Sequence, residues 1–222
     1  MNIFLVRHAQ SQSNVDLQIL KMQANMAVNL SELGLEQAKE TGNYLSEIFK
    51  NKAGEGYNVP IKVWNSPYNR TRQTSKIIKE QLTLNGIEFE EEESIYITER
   101  EFGLVDNVEG YHTHERFTHE ANHYSLHKKS KHDYFVRPPL GESPFDMCIR
   151  LDFFLRVVLK QEECIKNHVV VSHGAAIRGL IMMHQKQKFE EYTCPNPANA
   201  SVRHLAGNEY NGEIFKPTKA TY

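Results

Sequence analysis

The shortages in this sequence narrow its function before any motif does. Three cysteines, Cys148, Cys164 and Cys194, are few, odd in number and without C-x-x-C spacing, which argues against a disulfide framework or a thiolate zinc site and leaves ordinary reduced thiols. No apolar run approaches the roughly 20 residues of a membrane helix. The opening MNIFLVRHA has neither a basic leader nor a long apolar segment, so a cytoplasmic protein is expected. A surplus of charge is missing too. The 26 Lys and Arg against 28 Asp and Glu give a net charge of −2, with no basic excess to suit nucleic acid or an anionic membrane. Any anion site must therefore be local. A Walker-type glycine loop and a clustered aspartate motif of the kind that carries magnesium are also lacking, and no metal or other cofactor is expected.

What is present is ordinary globular composition, 40% hydrophobic and 24% charged over 222 residues, which suits one domain spanning 1–222 with an insertion. NIFLV (2–6), IKVWNSP (61–67) and VVV (169–171) read as β-strand runs, each followed by polar residues and then by helix formers. SELGLEQAKETGNYLSEIFK from Ser31 reads as a helix capped by Ser31, with Leu35, Ala38, Leu45, Ile48 and Phe49 on one face. YNRTRQTSKIIKEQL from Tyr68 reads as a second. A third begins with Ser143 as cap, Pro144 in the first position and Asp146 in the first turn, where the helix dipole favours negative charge. Strands alternating with helices predict an α/β fold, a mostly parallel central sheet with helices on both faces. A polar, histidine-rich cap insertion at about 104–137 interrupts the alternation, and EFEEEES (88–94) reads as a solvated acidic turn.

In such a sheet, ligands bind beyond the carboxyl ends of the strands. Arg7, His8, Arg70 and His173 all fall just after expected strands. Each alone is more often a capping or surface group, but together they bring two guanidinium forks and two imidazoles toward one volume, and such a group suits a phosphate. A neutral imidazole can also accept a phosphoryl group and yield it to water.

These residues resemble the histidine phosphatase superfamily, the phosphoglycerate-mutase-like proteins. LVRHAQSQSN (5–14) is similar to the family's Arg-His-Gly signature, with Ala9 in place of glycine, which is tolerable where φ is negative. NLSELGLEQA (29–38), SPYNRTRQT (66–74), TEREFG (98–103) and VVSHGAAIRGL (170–180) resemble four further family blocks in the right order, and NPANASV (196–202) resembles a late strand lead-in. The resemblance implies that His8 is the phosphate-accepting nucleophile and that Arg7, Asn14, Arg70, His173 and Gly174 hold the phosphate. It makes Glu99 the proton donor, with Glu101 as the alternative acid, and the reaction needs no metal.

Where mutase-type members have Trp-Asn, this chain has Ser13-Asn14, and YFVRPPLGES (134–143) resembles a phosphatase-type Arg-Pro-Pro-Gly-Gly-Glu-Ser ending with Leu140 for the first glycine. The expected activity is therefore hydrolysis of a small phosphorylated substrate through a phosphohistidine, with a mutase as the alternative and a pocket kept for binding without turnover as a third reading. In the insertion, His119, His123 and His127 are spaced to share a helical face, but no carboxylate or thiolate partner is identifiable, so no metal is assigned. Lys128, Lys129, Lys131 and Arg137 either meet further anionic groups of a substrate or form a solvated basic run. Oligomeric state is left open.

Overall fold

A computed structural model describes residues 1–51, 60–103, 122, 124, 126, 133–162, 164–188 and 194–222. Its six strands are β1 (Asn2–Arg7), β2 (Ile61–Asn65), β3 (Phe89–Glu93), β4 (Asn167–Ser172), β5 (Val202–Ala206) and β6 (Glu209–Phe215). They form one sheet in the order β3-β2-β4-β1-β5-β6. β1, β2, β3 and β4 pair in parallel, and β5 and β6 add an antiparallel edge. The expected mostly parallel sheet is thus present, and the three strands that lead into the candidate site residues are neighbours.

Strand alternation sorts the core into two layers. Ile3, Leu5, Trp64 and Val170 point to one face and are covered by α3 (Pro144–Phe153) and α4 (Gly174–His184) through Met147, Leu151, Ile177 and Leu180. Phe4, Val6, Val63, Val169 and Val171 point to the other, under α1 (Glu32–Asn51) and α2 (Asn69–Leu84) through Leu45, Phe49, Ile78 and Leu82. Each such side chain contributes about 1.5–3 kcal/mol by leaving water, and strands buried on both faces are why the runs read as continuous Val and Ile. Past α3 the chain continues as a π-helical stretch, Phe154–Val158, into Leu159–Gln161.

The helix starts follow their caps. Ser31 Oγ accepts from Gly34 N at 3.1 Å. Ser143 Oγ accepts from Asp146 N at 3.1 Å, while the Asp146 carboxylate accepts from Ser143 N at 2.9 Å, a reciprocal capping box.

Two local expectations are corrected. EFEEEES is not a solvated turn: Phe89–Glu93 pairs in parallel with β2 as the sheet edge. Its low strand propensity is offset by the ladder and by cations opposite its acids, Lys79 on Glu91, Lys62 on Glu92 and Arg72 on Glu93. Leu35, expected on the buried face of α1, is 47% exposed, because the stripe facing the sheet runs instead through Gly34, Gln37, Ala38 and Thr41. Most of the insertion at about 104–137, with His119, His123, His127, Lys128, Lys129 and Lys131, lies outside the described residues. Among the described residues, no helix is long and apolar enough to cross a membrane.

Candidate active site

Strand register assembles the site. Arg7 lies opposite Ser172 across β1 and β4, and Asn65 opposite Val171 across β2 and β4. The next residues, His8 and His173, therefore leave the sheet side by side, with Ser66 beside them. Backbone bonds continue the ladders one step, His8 N donating to Ser172 O at 2.8 Å and Ser66 N to Val171 O at 3.1 Å. The two imidazoles lie 5.3 Å apart, centre to centre, tilted by 60°. His173 is also the residue at which α4 begins, so the unpaired backbone N–H groups of that helix's first turn open at the same place.

The His8 ring is fixed by one bond, Nδ1 to the carbonyl oxygen of Ala9 at 2.8 Å. A carbonyl only accepts, so Nδ1 carries the proton and Nε2 keeps a lone pair. Ala9 has no positive φ, which meets the condition for replacing glycine there, and its N–H donates to Thr74 Oγ1 at 3.1 Å. His173 Nε2 lies 2.8 Å from Ser66 Oγ, and its ring stands edge-on to Tyr68 at 4.7 Å.

Arg70, one residue into α2, lays its guanidinium over Tyr68 at 4.7 Å and donates Nη1 to the backbone and side-chain oxygens of Asn25, at 2.8 and 2.9 Å. Arg7 donates Nη1 to Pro197 O at 2.6 Å. Among the described residues, Arg7 Nε and His173 Nδ1 are nevertheless buried without a hydrogen-bond partner, each at a cost of about 1–3 kcal/mol. Gly174 sits against this pair: a Cβ there would meet Asn196 Oδ1 at 2.6 Å and Arg7 Nε at 3.7 Å.

The electrostatics are one-sided. Burial, then Arg70 and Arg7, push the His8 pKa well below its ordinary value, with the Ala9 bond opposing. Burial, then Arg70, His8, Arg150 and Arg7, do the same to His173. Both rings are therefore neutral at neutral pH. Arg7 is drawn below its usual value by burial and by Arg70, while Glu99 works against that shift. A cationic pocket in which the buried Arg7 Nε–H is left unfilled among the described residues is suited to an anion.

The acids separate clearly. Glu99 is half-buried and acts electrostatically on Arg7. Glu101 is exposed, and its carboxylate accepts from Gly103 N at 3.3 Å within its own loop. Asn14 is exposed and joined to the centre through Asn199, whose Nδ2 donates to His8 O at 3.1 Å and to Asn14 Oδ1 at 3.3 Å. That Asn14 oxygen also accepts from Ser11 N at 3.0 Å, so its amide nitrogen is the end left to donate. Arg137 is exposed and grips Asp146 at the start of α3.

Sequence reasoning assigned no role to Ser66, Asn25, Tyr68, Asn196 or Asn199. Ser66 carried a signal, since it follows β2 as His8 follows β1. The others act through loops whose paths no local pattern reveals.

With this geometry in view, the chain can be set beside known proteins. The family model of the histidine phosphatase superfamily (branch 1) matches residues 3–217. The phosphoglycerate mutase-like protein AT74 of Arabidopsis thaliana is 27% identical over 212 residues, 90% of this chain, which spans 63% of that protein's length, less than two-thirds. The 2,3-bisphosphoglycerate-dependent phosphoglycerate mutase 2 of Gloeobacter violaceus is 25% identical over 182 residues, covering 81% of this chain and 74% of that one. Among solved structures, a mycobacterial glucosyl-3-phosphoglycerate phosphatase superposes with a TM-score of 0.64 at 20% identity, over 91% of this chain and 88% of that chain, a likeness of fold.

Proposed function

The chain belongs to the histidine phosphatase superfamily, branch 1, and on that premise we propose that it is a phosphomonoesterase that works through a phosphohistidine on His8. One observation carries the reading. The His8 ring is held by Ala9 so that a neutral Nε2 is free, beside Arg7 Nε and His173 Nδ1, which are buried with no partner among the described residues; with Ser66 Oγ donating to His173 Nε2, both are donors. A phosphoryl group supplies both the electrophile for the lone pair and the acceptors for the donors.

In the first step His8 Nε2 attacks phosphorus and the bond to the ester oxygen breaks. The leaving alkoxide takes its proton from the Glu99 carboxyl, while Arg7, Arg70 and His173 balance charge on the equatorial oxygens. The Nδ1 proton, still shared with Ala9 O, steadies the positive ring of the phosphohistidine. In the second step water attacks phosphorus and gives its proton to the Glu99 carboxylate. The P–N bond breaks, returning a neutral imidazole and inorganic phosphate. Asn14 and the Gly174 backbone complete the phosphate cradle, and the substrate is a small phosphorylated molecule.

Hydrolysis is favoured over mutase chemistry by Ser13. It is buried and its hydroxyl lies 3.0 Å from Ser11 Oγ, so mutase-type members' tryptophan has no counterpart here. Free Cys148, Cys164 and Cys194 support a reducing, cytoplasmic setting.

Rapid quench with labelled p-nitrophenyl phosphate tests the reading. An acid-labile, base-stable label on His8, absent from His8→Ala, is expected, together with release of one phosphate per turnover. Phosphoglycerate isomerisation without phosphate release would assign a mutase instead, and full activity in His8→Ala would refute both.

A further inference from the structure

Behind the loop that carries Glu99 lies an ion pair that the steps above do not use. Arg150, on α3, donates Nε to Glu142 Oε1 and Nη2 to Glu142 Oε2, both at 2.8 Å. The same guanidinium is also spent on backbone. Nη1 donates to the carbonyls of Tyr96 at 2.8 Å and Thr98 at 3.0 Å, and Nη2 to that of Glu99 at 2.9 Å. Glu142 holds the loop from its other side. Its Oε2 accepts from Glu101 N at 3.1 Å, its N–H donates to Glu101 O at 2.7 Å, and its carbonyl accepts from Arg100 Nε at 3.1 Å.

The two segments also meet backbone to backbone. A Cβ on Gly141 would come within 2.5 Å of Glu101 O, and one on Gly103 within 2.2 Å of Pro139 O. Glu142 stays ionised: burial raises its pKa, but the bonds from Arg150 and from Glu101 N outweigh that and leave it below the usual carboxylate range. The Glu99 carboxylate accepts from the backbone N–H of Arg100 at 3.0 Å. Its direction therefore follows the loop backbone, which this pair holds in place.

We propose that Glu142 and Arg150 form a positioning clamp that aims the Glu99 carboxyl at the leaving-group oxygen, so that they govern proton transfer rather than phosphate binding. The proposal rests on Glu99 as the proton donor. Its physical basis is reach. A general acid works at about 2.6–3.2 Å, and a misplacement near 1 Å costs on the order of 10²-fold in rate. Lysine cannot substitute, because its compact ammonium lacks the planar fork that reaches a carboxylate and three carbonyls at once.

The test compares kcat/KM, which reports phosphoryl transfer to His8, on two substrates. p-Nitrophenyl phosphate expels a stable phenolate without a proton, whereas β-glycerol phosphate expels an alkoxide that needs one. Glu99→Gln is the reference and should lower β-glycerol phosphate turnover selectively. Arg150→Lys should lower kcat/KM on β-glycerol phosphate by about 10²-fold and on p-nitrophenyl phosphate far less. In the Glu99→Gln background it should add no further loss. Equal losses on both substrates, or an additive loss in the double variant, would overturn the clamp and leave Glu99 standing. A Glu99→Gln enzyme without the selective loss would overturn the assignment of Glu99, and the clamp with it. Should Arg150→Lys not fold, Glu142→Gln, which keeps size and shape, is read by the same ratio.

Discussion

Two buried histidines on this sheet, His8 beyond the end of β1 and His168 near the start of β4, differ in whether a ring lone pair is left over, for reasons the hydrogen bonds make plain. His8 Nδ1 donates to a carbonyl, so its lone pair stays free at Nε2. His168 Nδ1 lies 3.1 Å from Trp64 Nε1. An indole only donates, so the His168 lone pair is already used. Their charged surroundings differ as well. His168 is influenced by both Glu162 and Lys62, whereas the charges acting on His8 are Arg70 and Arg7 alone. Burial dominates the downward pKa shift of both rings, and neither is protonated at neutral pH. Burial and neutrality are therefore common to His168 and to the proposed nucleophile, His8. A free lone pair facing charge of a single sign is what separates them.

The largest expected effect puts that contrast directly at risk. His8→Ala should lower kcat on p-nitrophenyl phosphate by at least about 10⁴-fold, as loss of a covalent nucleophile does, while His168→Gln should leave kcat unchanged. Comparable losses in steady-state assays of the two variants would erase the distinction.

Next comes the single-signed field. Arg70→Lys keeps the charge and loses the fork, and should cost about 10²-fold in kcat/KM. Arg70→Met removes a charge that depresses the His8 pKa. The acidic limb of kcat/KM, expected well below pH 6.5 in the wild type, should then move upward. A limb that stays in place would show that burial alone sets it.

The third effect is on stability. His168 has a folded pKa of about 4 against an ordinary 6.5, so between those values the unfolded chain binds the proton and the folded chain does not. Stability should fall as pH drops through that window, by up to about 3 kcal/mol from this group. His8 and His173 add the same sign. Urea melts between pH 7 and pH 4 should show His168→Gln to be less steep than the wild type.

The smallest effect is local. Leu140 sits at φ 60° and is 83% exposed, where a family-like glycine relieves backbone strain. Leu140→Gly should stabilise by about 1 kcal/mol or less, read as a small rise in Tm with kcat unchanged.

Much of this was legible in the residue order, and its limits are instructive. Val169 to Val171 and Ile3 to Val6 announced buried parallel strands because a strand covered on both faces must be apolar at consecutive positions. Ser31 and Ser143 announced helix starts because a cap is satisfied within three residues. EFEEEES misled because its strand pairing depends on β2 and its charge balance on Lys62, Arg72 and Lys79, all distant in the chain. Leu35 misled because a helical face is set by what packs on it, not by apolar count alone.

The chain's own order was enough for the chemistry on offer: two histidines and two arginines at strand ends, an acid in a loop, and caps that start the helices. These rest on periodicity and short-range hydrogen bonding, which act between near neighbours. Contacts between distant segments settled the rest. Glu99 stands apart from Glu101 because the fold half-buries one carboxylate within electrostatic reach of Arg7 and leaves the other exposed, bound only within its own loop. The same packing left Arg7 Nε and His173 Nδ1 unpaired among the described residues, a property of the assembled pocket that no single stretch of sequence contains.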